Sequence, residues 1–202
     1  MNHLILLGDS IFDNATYCAP GPAVIAQVRA ALPTWRASLL AVDGSVSAMV
    51  PAQIARLPAD ATHLVLSVGG NDALGAAHLL NAPVTTVADA LNLLGSHVDG
   101  FRARYAAAIA AATATGLPLL VCTVYNGRFP DPALRKIAAT ALSLFNDVIQ
   151  TTARRNGLEV LELRQTCDDD ADFANPIEPS SVGGAKIAAA IARWAKQVSP
   201  RM

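Results

Sequence analysis

The stretch Leu4-Ile5-Leu6-Leu7-Gly8-Asp9-Ser10 decides the fold. Four consecutive aliphatic residues show no polar alternation, so an extended segment here would be buried on both faces. That is the pattern of an inner strand in a parallel sheet. The run stops at a glycine followed by small polar residues, which reads as a tight turn. It is too short for a signal peptide and has no cationic leader, so it is better used as a first strand.

The same alternation of short apolar runs and longer helical patterns extends outward. Strands are expected over 37–42, 63–68, 117–124 and, more weakly, 158–163. Helices are expected over 22–32, 84–115 (with a break around 95–100), 132–156 and 183–198. Residues 166–181 are rich in Asp, Pro and Ser and read as a surface loop. Five strands separated by helices describe an α/β protein with a mainly parallel five-stranded sheet. The 202 residues fit one domain spanning 1–202.

Composition narrows the function. Hydrophobic residues make up 52% and charged residues 15%, which argues against disorder. Sixteen acidic and 15 basic side chains leave a net charge of −1 with no basic run, which disfavours nucleic acid as a partner. No apolar stretch is long enough to span a membrane. Much of the apolar content is alanine, a helix former. The three cysteines, Cys18, Cys122 and Cys167, form no C-x-x-C pair, so neither a disulfide framework nor a zinc ribbon is expected. Cys122, inside a strand, reads as a small hydrophobe. Together with the absence of a leader, this predicts a reducing, cytoplasmic location.

In open α/β sheets the active site lies beyond the carboxyl ends of the strands. Polar, glycine-containing clusters stand there. After the first strand, Ser10 is either a nucleophile or the cap of the next helix. After the second, Asp43-Gly44-Ser45 is either an ordinary turn or a backbone N–H donor to an anion. After the third, Gly69-Gly70-Asn71-Asp72 offers either a side-chain amide for an oxyanion or an Asx-type turn with Asp72 capping a helix.

Taken in order, Gly8-Asp9-Ser10-Ile11 with Asp13-Asn14, then Gly44, then Gly69-Gly70-Asn71-Asp72 resemble the blocks of the SGNH/GDSL hydrolases. Phe145-Asn146-Asp147 and Pro179-Ser180 with Gly183-Gly184 look like the family's later segments, so the resemblance runs over nearly the whole chain. It implies a flavodoxin-like three-layer α/β/α sandwich and hydrolysis of carboxylic esters or thioesters through a serine acyl-enzyme. Carried over, Ser10 is the nucleophile. The backbone N–H groups of Ser10 and Gly44 and the side chain of Asn71 hold the oxyanion. No cofactor or metal is implied. The partner is a small-molecule ester.

The last block departs from the family's Asp-x-x-His. Asn175-Pro176-Ile177-Glu178 places asparagine at the aspartate and glutamate at the histidine, and no histidine follows His97. Three readings stay open. Glu178 is the base; or another histidine is, with His78 and His97 the candidates and His3 and His63 structural; or the protein has lost hydrolysis and keeps a ligand-binding pocket. A phosphate or nucleotide binder on the same fold is disfavoured, because no phosphate loop follows the first strand. The acidic run Asp168-Asp169-Asp170 with Asp172 reads as a solvated loop rather than a cation site. Trp35, Trp194, Phe101, Phe129 and Phe145 are candidates for an acyl pocket or for the core.

Overall fold

Alternate residues of the first strand go to opposite cores. Leu4 and Leu6 pack on one side of the sheet, and Ile5 and Leu7 on the other. The computed structural model describes residues 1–198. Its strands are β1 (His3–Gly8), β2 (Arg36–Leu39), β3 (His63–Ser67), β4 (Leu119–Cys122) and β5 (Glu159–Leu161). Its helices are α1 (Ala15–Cys18), α2 (Val24–Ala31), α3 (Val50–Ile54), α4 (Gly70–Gly75), α5 (Val87–Thr113), α6 (Pro132–Arg155), α7 (Leu163–Thr166) and α8 (Ser181–Gln197). Short 3-10 turns cover Ser47–Met49, Ala77–Asn81 and Asp170–Asp172.

All strand pairs are parallel, in the order β2-β1-β3-β4-β5. Every residue of β1, β3 and β4 is buried. Helices α2 and α8 cover one face, with Val24, Val28, Ile187 and Ile191 in that core. Helices α3, α5 and α6 cover the other, with Val50, Phe101, Ile109 and Ile149. This is the three-layer α/β/α arrangement. The chain order reverses between β1 and β3, and a crevice at their carboxyl ends is the expected binding place.

Several expectations need correction. Helix α5 runs unbroken for 27 residues through Gly95 and Gly100. Each glycine costs a helix about 1 kcal/mol, and the buried stripe Val98, Phe101, Tyr105, Ala108, Ile109 and Ala112 offsets that. The helix starts at a Thr86/Asp89 capping box rather than at Val84. Strand β2 ends early because Leu40 and Ala41 both donate to the Leu6 carbonyl, which bulges the chain. The apolar run at 117–124 outlasts β4: the Val124 N–H and C=O are taken by the Asn146 amide, both at 2.8 Å. Among the described residues, no helix is long and apolar enough to cross a membrane.

Candidate active site

Gly8 sets the first turn. Its φ is +119°, and a Cβ there would stand 1.7 Å from the Ser67 carbonyl oxygen. Only glycine lets β1 end so close to β3. The same residue is held from its other side by Gln53, whose amide accepts from the Gly8 N–H and donates to the Gly8 carbonyl, both at 2.8 Å. Gln53 and Asn146 thus do the same work at the ends of two strands. Each is a buried amide that stands in for a missing strand partner, and neither is visible as a site signal in the sequence.

The turn presents Ser10. Its Oγ donates to Glu178 Oε1 at 2.9 Å, and both residues are buried. Ser10 caps no helix: Asn14 holds the N-cap position of α1. The Asn14 side chain accepts from the Val24 N–H and donates to the Pro179 carbonyl, so it ties the Ser10 turn to the Glu178 loop.

That loop is closely fixed. Asn175 Oδ1 accepts from the N–H groups of Ile177 and Glu178 at 2.9 and 3.0 Å, so its side chain shapes the turn rather than orienting a base. The Tyr125 hydroxyl donates to the Ile177 carbonyl, and Phe173 pairs with Pro179 in an antiparallel bridge. Glu178 Oε2 is buried with no hydrogen-bond partner among the described residues. Burial pushes the Glu178 carboxyl up to about 7, against the Ser10 hydrogen bond, which favours the ionised form; the Asp43 charge adds to the rise.

Asp9 is a second unusual carboxyl. It is 2% exposed, and among the described residues its Oδ1 accepts only from the Ile11 N–H. Burial raises it to about 8; the Ile11 hydrogen bond works against this, and the charges of Glu178, Asp72 and Asp43 add to it. At neutral pH it is mostly protonated.

Asn71 lies in the first turn of α4, and its Nδ2 donates to the Ser45 carbonyl at 3.0 Å. An amide nitrogen carries two protons, so one remains for the cavity that Asn71 lines. Asp72 does not cap α4. It grips Ser47 through the backbone N–H and hydroxyl, both at 2.8 Å, which ties the segment after β2 to the segment after β3. Gly44 lies in the turn after β2 at φ +77°. It is not among the cavity-lining residues, but its neighbour Ser45 is the acceptor of Asn71. Neither the Ser10 nor the Gly44 backbone N–H has an acceptor among the described residues.

Ser10, Asn71 and Glu178 share one cavity of about 250 Å³ with Asp9. Its walls are Leu74 and Leu80 from α4 and the following turn, Leu94 from α5, Val124, Tyr125 and Phe129 after β4, and the inner face of α6. Of the aromatic candidates, Phe129 and Phe145 line it. Phe101 packs on Tyr105 and Phe145 in the core. Trp35 and Trp194 flank the His63 ring.

The histidines stand elsewhere. His78 is exposed and pairs with His97 at 5.7 Å between ring centroids; neither lines the cavity. His3 is fully buried. Its Nδ1 lies 2.9 Å from Asp60 Oδ1 and its Nε2 lies 2.8 Å from Ser38 Oγ. The acidic loop is engaged as well: Asp172 pairs with Lys186 at 2.7 Å and with the Asp169 N–H. The glycines before Lys186 serve packing, since a Cβ on Gly183 would meet the Asp172 carbonyl at 2.3 Å.

Solved structures with this fold span the whole chain at low identity. A lipolytic protein of the G-D-S-L family from Veillonella parvula matches at 15% identity and TM-score 0.72, over 98% of this chain and 100% of that one. A phospholipase A1 from Streptomyces albidoflavus matches at 14% and 0.69, over 96% and 98%. A lipase/acylhydrolase from Enterococcus faecalis matches at 18% and 0.67, over all of both chains. No curated protein sequence matches. The model of the GDSL-like Lipase/Acylhydrolase family matches residues 6–197, from inside β1 to the last residue of α8, and the chain therefore belongs to that family of ester hydrolases.

Proposed function

We propose that the protein hydrolyses carboxylic esters or thioesters through an acyl-enzyme on Ser10, with Glu178 as the base. The observation that carries this reading is the 2.9 Å hydrogen bond from Ser10 Oγ to a buried Glu178 carboxyl. In the first step Oγ attacks the acyl carbon as its proton passes to Glu178 Oε1. The oxyanion is taken by the backbone N–H groups of Ser10 and Gly44 and by the free amide proton of Asn71. Collapse expels the alcohol or thiol, which takes the proton from Glu178. Water then gives its proton to Glu178 and attacks the acyl-serine; as that intermediate collapses, Ser10 Oγ takes the proton back from Glu178 and the acid is released.

A free glutamate, near 4.3, is a weak base at neutral pH. Desolvation brings Glu178 to about 7, close to where a general base works best. The resemblance places a histidine and an aspartate at these positions in the family's usual block. Here glutamate takes the serine's proton directly, and asparagine organises the loop.

The test is hydrolysis of p-nitrophenyl esters from about pH 5 to 9. Wild-type kcat/KM should rise about tenfold per unit below the Glu178 midpoint and level off above it. Ser10→Ala should fall to background. Glu178→Gln should lose about 10²–10⁴-fold together with the acid limb. His78→Ala should match wild type. Turnover by Ser10→Ala at the wild-type rate would remove the serine mechanism and leave the cavity as a binding site.

A further inference from the structure

The cavity beside Ser10 has a pronounced polarity gradient. The lining side chains that carry hydrogen-bonding atoms are Asp9, Ser10, Asn71, Tyr125 and Glu178. The Tyr125 hydroxyl is already given to the Ile177 carbonyl. The remaining lining is aliphatic, phenyl or glycine. A hydroxylated or charged acyl group would leave buried polar atoms unmatched there, at a cost that a hydrocarbon does not incur.

The long wall is one face of α6. Leu134, Ala138, Ala141 and Phe145 recur at helical spacing and all line the cavity. They stretch over roughly 16 Å at 1.5 Å per residue. Phe145 is 4% exposed beside the sheet edge, whereas Leu134 is 37% exposed near the start of the helix. The trough therefore runs outward from the sheet edge. The two alanines in its middle leave the width that larger side chains would close. Leu80, on the opposite wall, is 40% exposed. Large aliphatic side chains left open around a concave site mark a place where an apolar ligand completes the burial.

The volume sets the length. An apolar cavity of about 150 Å³ takes a six-carbon aromatic ring, so one of about 250 Å³ has room for that many carbons and several more. We propose that this trough takes an unbranched aliphatic acyl chain of about six to ten carbons, so that medium-chain acyl esters or thioesters are preferred over acetyl esters. The proposal rests on the Ser10 reading for its chemistry and on the trough for its specificity.

A chain-length series of p-nitrophenyl esters from acetyl to hexadecanoyl tests it. We expect kcat/KM to rise about fourfold per methylene, the equivalent of 0.8 kcal/mol, until the trough fills near eight carbons. Beyond about ten carbons it should fall. Ala141→Phe and, independently, Ala138→Phe should lower the ratio of octanoyl to acetyl kcat/KM by tenfold or more. An acetyl optimum, or an unchanged ratio in both folded variants, would overturn the chain-length proposal and leave the hydrolase reading intact. Binding separates the two claims from the other side. Octanamide, which is neutral beside the two carboxyls, should raise the Tm of Ser10→Ala more than acetamide does. If no ester is turned over but octanamide still stabilises, hydrolysis fails and the trough stands. If octanamide does no better than acetamide, the trough proposal fails.

Discussion

Two of the serines in this molecule meet a titratable partner in contrasting settings, one toward each end of the sheet. At the amino end, Ser38, His3 and Asp60 reproduce the order of contacts of a catalytic triad, with distances of 2.8 and 2.9 Å. At the carboxyl end, Ser10 has only a glutamate. By residue type the first set is the better catalyst. By placement it is not a site at all. Ser38 lies inside a strand, in register with Ile5, and lines no part of the cavity. Asp60 is half exposed and also pairs with Arg36. Ser10 lies on a turn with a free N–H, at the point where strand order reverses, and opens onto an apolar trough. On the mechanism proposed above, reactivity depends on what surrounds the hydroxyl and on where a substrate can reach it, more than on which residue accepts its proton.

The largest effect that can break this comparison lies in the donors. If the surroundings of Ser10 make it a nucleophile, removing an oxyanion donor should hurt almost as much as removing the base. Asn71→Ala should lower kcat by about 10²–10³-fold with a smaller change in KM, since the donor acts chiefly on developing charge. Steady-state kinetics on one activated ester decides it. A loss below about threefold would mean that the Asn71 amide serves only its bond to the Ser45 carbonyl.

The two ends also differ in the sign of their response to pH. At the carboxyl end, Asp9 titrates near 3.8 when unfolded and near 8 when folded. Between those values the native protein holds a proton that the unfolded chain has released. Stability therefore falls as pH rises, by up to about 1.4 kcal/mol per unit for one proton. Glu178 contributes in the same direction between 4.5 and about 7. At the amino end, the hydrogen bond with His3 holds Asp60 below its ordinary value, helped by the Arg36 charge. Its contribution is present at neutral pH and is lost as pH falls through its lowered pKa. Asp9→Asn keeps the acceptor for Ile11 and removes the titration. Urea unfolding from about pH 4 to 8 should then show a flatter decline than wild type. Equal slopes would mean that Asp9 is ionised in the folded protein.

The sheet, and most of the candidate site, were legible in the sequence, and the reasons can be read residue by residue. The apolar runs at 4–7 and 63–68 become fully buried strands, because a doubly covered strand leaves no polar alternation to misread. Strand order carries the turns of Ser10 and Asn71 to one edge, and Glu178 joins them through a loop held by Asn14 and Tyr125. What stayed hidden depends on contacts between distant segments. Nothing local marks Gln53 as the partner of Gly8, 45 residues away, or Asn146 as the partner of Val124. The raised Asp9 carboxyl is equally invisible, since it comes first from burial and then from the charges of Glu178 and Asp72, which other segments bring there. The break expected at the glycines of helix α5 does not occur, because the stability of that helix comes from docking rather than from propensity.

The smallest expected effect is at Ser38, and it tests the comparison most directly. Ser38→Ala removes one hydrogen bond to a buried imidazole and should cost about 0.5–1.5 kcal/mol of stability. Its kcat/KM on any ester should equal that of wild type, and a fluorophosphonate should label Ser10 at the same rate in both proteins. The probe separates the alternatives because it reports nucleophilicity without needing the right substrate. Label found on Ser38 in wild type, or turnover lost in Ser38→Ala at a temperature where it stays folded, would mean that a hydrogen-bonded serine and histidine suffice for reaction without a pocket. Labelling confined to Ser10 would mean that the turn, the free N–H groups and the trough make the nucleophile, with a carboxylate as sufficient base.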